Sequence, residues 1–162
     1  MNAISNLPTF AAVTVGQLRN TDTALNEIAR AEVNITETAS EVLQRMSFET
    51  DLYEIDLVVL ASMHMKSRAR KFSTVEICDQ AKELGLIHCP PEAALQLWLE
   101  NPEFLQIHAS VILMMDSVSV SSGEELNFHL ERRNSGRWLD TVRAEPTTLW
   151  NYWNRFLFAH SR

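Results

Sequence analysis

The stretch FSTVEICDQAKELGLIHCPPEAALQLWLENPEFL, residues 72–105, carries the clearest local signals in the chain. Ser73 and Glu76 match the S-x-x-E capping box, in which each side chain satisfies a backbone N–H left free in the first helical turn. Phe72 and Ile77 stand where a hydrophobic staple would set the entry angle. Gly85 fits the left-handed residue just past a helix end, with apolar Leu86 after it. Together these predict a helix over 74–84. Pro90-Pro91 suits the opening of a second helix, because the N–H that proline lacks is unbonded there anyway. That helix is expected to reach Glu100, stop before Asn101-Pro102, and bury Ala94, Leu95, Trp98 and Leu99.

Toward the N-terminus, a helix is expected from Asp51 to about Arg68. Leu52, Ile55, Val59 and Met63 make one stripe, and Leu57, Val58 and Leu60 widen it. Asp51 and Glu54 in the first turn and Lys66 and Arg68 in the last complement the helix dipole. From Thr21 to about Ser47, Leu25, Ile28, Ile35, Ala39, Val42 and Met46 are spaced by threes, fours and one seven. The skipped position is Glu32, giving a heptad-like stripe with one polar interruption. Residues 1–20 have no sustained period and read as a flexible arm.

Toward the C-terminus the period changes. Ile107 to Val120 suits a long buried strand. Leu126, Phe128 and Leu130 alternate with polar residues, RNSG offers a hairpin connection with glycine at hand for positive φ, and 137–144 returns as a strand. Thr147 can cap a last helix, 148–159, with Leu149, Trp153, Phe156 and Leu157 on one side. The expected fold class is α+β, with a helical N-terminal half, a core ending in a three-stranded antiparallel meander, and a C-terminal helix. The division is a 1–20 arm, a 21–48 amphipathic acidic helix and one domain over 49–162.

In this order, residues 51–144 resemble a winged-helix domain. STVEICDQAKELGL resembles its second helix and turn, PPEAALQLWLENPEFL stands where a recognition helix would, and the hairpin around RRNSGR stands where the wing would. The resemblance implies either DNA binding or protein assembly, since both roles occur on that fold.

Composition bounds the rest. The 162 residues are 46% apolar and 22% charged, ordinary for a globular chain able to bury its own core. Two cysteines, Cys78 and Cys89, are too few for a disulfide framework and read as reduced thiols. No signal peptide and no apolar run of membrane-spanning length is visible, so a cytoplasmic protein without membrane contact is expected. The net charge of −7 is uneven: residues 1–56 hold three Arg against nine Asp and Glu, a net of −6, and the remainder is close to neutral.

That remainder holds two basic clusters able to neutralise phosphates: Lys66, Arg68, Arg70 and Lys71, and Arg132, Arg133 and Arg137 at the proposed wing. The proposed recognition helix offers Gln96 and two glutamates but no cation, a poor set for reading base edges. Cys78, His88 and Cys89 lack zinc-site spacing. Asp116, Glu125 and Glu131 are conceivable Mg²⁺ ligands if the meander brings them together. No nucleophile elbow, phosphate loop or H-E-x-x-H is present. No metal, cofactor or catalytic residue is therefore expected. Trp150, Tyr152 and Phe158 fall outside the stripe of the expected last helix and are candidate interface residues, with Leu25, Ile28, Ile35 and Val42 of the heptad-like stripe.

The leading expectation is a non-enzymatic protein–protein interaction module, a small acidic adaptor or inhibitor binding a protein partner or itself as a dimer. The alternative is a winged-helix DNA-binding transcriptional regulator, dimeric through residues 22–47.

Overall fold

The computed structural model describes residues 7–161, so the first six positions of the expected arm lie outside the described residues. Its architecture is set by YEIDLVVL, which forms a strand, β3 (Tyr53–Leu60), and not a helix. Leu57 faces one hydrophobic cluster, while Val58 and Leu60 face another on the opposite side of the sheet. Successive strand residues point to opposite faces, so a strand covered on both sides is apolar without alternation. The same holds for FLFAH, which forms β11 (Phe156–His160) where the sequence suggested a helix. Phe156 and Phe158 enter one cluster, Leu157 and Ala159 the other.

The N-terminal segments differ too. β1 (Ala11–Val15) precedes α1 (Thr21–Arg30), β2 (Val33–Ile35) and α2 (Glu37–Arg45). The single helix expected over 21–48 is broken at Glu32, whose φ of 59° is left-handed. The polar gap in the stripe is thus the end of a helix. Thr36 then caps α2, accepting the Ala39 N–H.

The remaining elements are β4 (Lys71–Ser73), α3 (Thr74–Glu83), β5 (Leu86–Ile87), α4 (Glu92–Glu100), β6 (Ser110–Leu113), β7 (Val118–Ser119), β8 (Glu125–Arg133), β9 (Gly136–Arg143) and β10 (Leu149–Asn151). The capping box of Ser73 and Glu76 is present at the head of α3. The main sheet has nine strands in the order β1-β3-β11-β6-β8-β9-β2, with β5 on β11 and β7 on β8. Most pairs are antiparallel, but β11–β6 and β9–β2 are parallel. β4 and β10 form a separate antiparallel ribbon.

This curled, mixed half-barrel is not a winged helix. The expected fold class, a helical N-terminal half leading to a three-stranded meander and a closing helix, is replaced by a sheet that recruits strands from both ends of the chain. The labels winged helix and helix-turn-helix fall with it, and with them the support they lent to a transcriptional regulator.

The proposed recognition helix, α4, is the centre of the fold. Ala93, Ala94, Leu95, Gln96, Leu97 and Trp98 are all buried, and the helix packs against α1, β1, β8 and β9. A helix apolar all round belongs in a core, not in a groove of DNA. Its terminal carboxylates tie down β1: Glu92 accepts the N–H of Gly16 at 2.6 Å and Glu100 that of Thr14 at 3.0 Å. The other oxygen of Glu92 accepts the Glu49 N–H at 3.1 Å. The expected strand 107–120 is interrupted between β6 and β7. There the buried Asn127 side chain donates to the Leu113 carbonyl at 3.0 Å and accepts from the Ser117 hydroxyl at 2.6 Å.

Candidate functional site

The two basic clusters have different fates. At the β8–β9 hairpin the arginines are consumed internally. Arg132 and Arg137 reach the Glu103 carboxylate at 2.7 and 2.8 Å, and also donate to the carbonyls of Leu105 and Pro102. Hydrogen bonds from Arg132 and Arg137 hold the Glu103 carboxyl below its ordinary range. Arg133 pairs with Glu131 and Asp140 and lies 4.4 Å from the Trp138 ring centroid. Arg132 and Arg137 staple the hairpin tip to the 102–105 segment, Arg133 braces the hairpin itself, and each of the three has an anionic partner in place of a phosphate.

The 66–71 cluster is different. Lys66 pairs with Glu83 at 2.8 Å, but Arg68, Arg70 and Lys71 have no ion pair among the described residues. Arg68 and Arg70 lie on the loop from β3 to β4, and Lys71 is the first residue of β4. A 3₁₀ turn at Ser62–His64 opens this loop, with the Ala61 N–H donating to His64 Nδ1 at 2.9 Å. The Lys66 N–H reaches Gln80 Oε1 at a long 3.3 Å, and Gln80 Nε2 has no partner among the described residues. Lys66 thus holds the loop to α3 by both its side chain and its backbone N–H.

Beside it stands the β4–β10 ribbon, which sorts its side chains by strand period. Phe72 and Trp150 point inward. Trp150 is buried, donates to the Thr74 hydroxyl at 2.9 Å, and meets Phe156 edge-on at 5.4 Å. Lys71 and Leu149 point outward. Tyr152 and Trp153 occupy the turn into β11, T-shaped to each other at 5.3 Å and 52% and 63% exposed. Leu149 on the ribbon is 62% exposed and Met63 on the loop 82%. Met63, Met65, Lys66, Arg68, Arg70 and Tyr152 line an open cleft of about 700 Å³. Large, exposed apolar side chains in one patch mark an interaction surface.

Of the expected interface residues, only Tyr152 sits on this face. Trp150 and Phe158 are buried, as are Ile28 and Val42, while Leu25 and Ile35 are partly buried against the same core. Trp153, Leu149 and Met63 were missed as exposed positions because helical spacing put Trp153 and Leu149 on the inner face. Reading 149–153 as a strand and turn, from its two Trp and one Tyr, would have found Trp153 and Leu149.

A second constellation joins residues the sequence left scattered. His88 Nδ1 lies 3.0 Å from Asp116 Oδ1, and His88 Nε2 lies 4.0 Å from Cys78 Sγ. This has the order of a thiol relay. However, burial and the neighbouring Asp79 charge raise the Cys78 thiol above its ordinary value, which keeps it protonated. Asp116 is almost wholly exposed at 98%, so it anchors the imidazole weakly. Cys89 is fully buried, and its thiol is pushed far up. Among the described residues no three metal-ligating side chains converge, and Asp116, Glu125 and Glu131 do not form a cation site. No helix among the described residues is long and apolar enough to cross a membrane.

No protein-family model matches the sequence, and neither a curated protein nor a solved structure matches the chain.

Proposed function

We propose that this chain is a non-enzymatic protein-interaction module whose working surface is the face formed by the 61–70 loop, the β4–β10 ribbon and the 152–155 turn. One observation carries the reading: Arg68 and Arg70, without ion pairs among the described residues, line one cleft with exposed Met63 and Tyr152, Trp153 packs edge-on against Tyr152, and the adjoining ribbon presents Lys71 and Leu149 on its outer side. Met, Tyr, Trp and Arg are the residue types enriched where proteins meet, and Trp, Tyr and Arg dominate binding hot spots. The N-terminal stripe is an unsuitable dimer seam, because Ile28 and Val42 would have to leave the core to reach a second copy.

The test is affinity capture by the immobilised full chain, with captured proteins compared between the wild type and a Tyr152→Ala/Trp153→Ala variant. A discrete protein retained by the wild type and lost by the variant is expected. A captured set identical for both overturns the assignment of this face.

A further inference from the structure

We propose that this face receives an acidic, extended peptide segment of the partner, whose carboxylates meet Arg68, Arg70 and Lys71 while one large apolar side chain enters the cleft between Met63, Met65 and Tyr152. The inference rests on the interaction-module reading above and names the chemistry of the partner.

Charge complementarity comes first. Arg30, Arg45, Lys66, Arg132, Arg133, Arg137 and Arg143 all have an internal carboxylate partner. Among the described residues six Lys and Arg have no ion pair, and three of them, Arg68, Arg70 and Lys71, cluster within four positions of a non-helical stretch, whereas Arg19, Lys82 and Arg155 are scattered along the sequence. A guanidinium presents a planar fork that matches a carboxylate with two parallel hydrogen bonds, so Arg68 and Arg70 are suited to bidentate capture.

The apolar half has its own logic. Met63 and Met65 are unbranched and adaptable, and with Tyr152 they form a wall that fits variable apolar side chains. The cleft of about 700 Å³ is ample for one aromatic or leucine side chain. Lys66 anchors the loop to α3 through its ion pair with Glu83 and its N–H bond to Gln80, and the segment beyond it, 67–70, carries the two arginines.

A short acidic segment is favoured over a nucleic acid or an anionic membrane by the acids around the patch. Glu76, Asp79 and Glu83 line neighbouring α3, and the whole chain carries −7. A long polyanion or a charged bilayer would be repelled by that surround, whereas a few carboxylates need meet only the local cations.

The experiment is selection from a displayed random-peptide library on the immobilised full chain, followed by anisotropy of the labelled winning peptide. Enrichment of Asp and Glu around one large apolar residue is expected. Arg68→Ala with Arg70→Ala should weaken binding about tenfold or more, and Tyr152→Ala likewise, with circular dichroism unchanged. Affinity should fall when salt rises from about 0.05 M to about 0.5 M. No enrichment, enrichment of neutral or basic peptides, or indifference to the arginine substitutions would overturn the inference. So would tighter binding, through the same residues, of an oligothymidylate or of phosphatidylserine vesicles. If the acidic peptides fail but protein capture still depends on Tyr152 and Trp153, the interaction module stands and only its partner chemistry is lost. If capture is indifferent too, both readings fall.

Discussion

The buried carboxylate of Glu92 accepts the backbone N–H of Gly16 at 2.6 Å, linking the head of the central helix to the end of the first strand. Its second oxygen holds the Glu49 N–H. An anion is favourable at a helix N-terminus, and two N–H donors satisfy it without a cation. Glu92→Gln turns an NH₂ group toward one of these donors and should cost about 2 kcal/mol; Glu92→Leu leaves both unsatisfied and should cost about 3 kcal/mol or more. Urea midpoints measure both, and an unchanged midpoint for the leucine variant would contradict the role.

Two glycines separate backbone conformation from space. Gly16 has φ of 95°, and a Cβ there would lie 2.1 Å from the Asp51 carbonyl oxygen. Gly85 has φ of 75°, with nothing within 4 Å of such an atom. Gly85→Ala should therefore cost only the left-handed penalty, about 1 kcal/mol. Gly16→Ala adds a backbone clash and should cost above about 3 kcal/mol. Thermal unfolding of the two variants side by side is the measurement.

Burial lowers the imidazole pKa of both His64 and His129. At His129 the charges of Glu131 and Asp140 oppose the shift, and that of Arg133 adds to it. A histidine with a lowered folded-state pKa binds its proton more readily when unfolded. Its contribution is complete above the ordinary value of 6.5 and is lost as pH falls through the lower folded value. Stability should decline on acidification below about 6.5. For His64 there is a local signature, because protonating Nδ1 removes the acceptor of the Ala61 N–H. Amide exchange at Ala61 should then quicken relative to the rest of the loop. His64→Gln together with His129→Gln should flatten this limb of the pH profile.

Neighbouring tryptophans should behave oppositely. Trp150→Ala empties a buried position and leaves Thr74 and Phe156 without their partner, at a cost of about 3–5 kcal/mol. Trp153→Ala removes an exposed ring and should change stability by no more than about 0.5 kcal/mol. Equal losses in chemical denaturation would mean that Trp153 packs more than its surface shows.

What the sequence made legible follows from where each signal is local. The capping box of Ser73 and Glu76, the left-handed Gly85 and the hairpin round Asn134 and Ser135 are short-range chemistry, and all are found in the structure. The topology was misread where strands are buried on both faces. LVVL and FLFA lose the alternation that distinguishes a strand, and a contiguous apolar run fits a helical wheel equally well. Pairing of β3 with β11 joins residues about a hundred positions apart, which no local pattern records. The candidate face suffered from the same mistake in period. Spacing by threes and fours turned Trp153 inward and Trp150 outward, and a strand and turn reverse them. In the sequence the two glutamates of α4 count only against base readout, because their internal task, capturing backbone N–H groups of distant segments, has no local signal.

Those glutamates have a consequence for how the molecule lives with its own copies. β1 is the last strand on its side of the sheet, and an open strand border invites another chain to add itself, copy upon copy. Glu92 and Glu100 occupy the N–H groups of Gly16 and Thr14, so that border has no donor there to offer a newcomer. The helix that fills the half-barrel thus also acts as its end-stop. Shortening Glu100 would leave the fill intact while unlocking Thr14, turning a terminated sheet into one that can be extended.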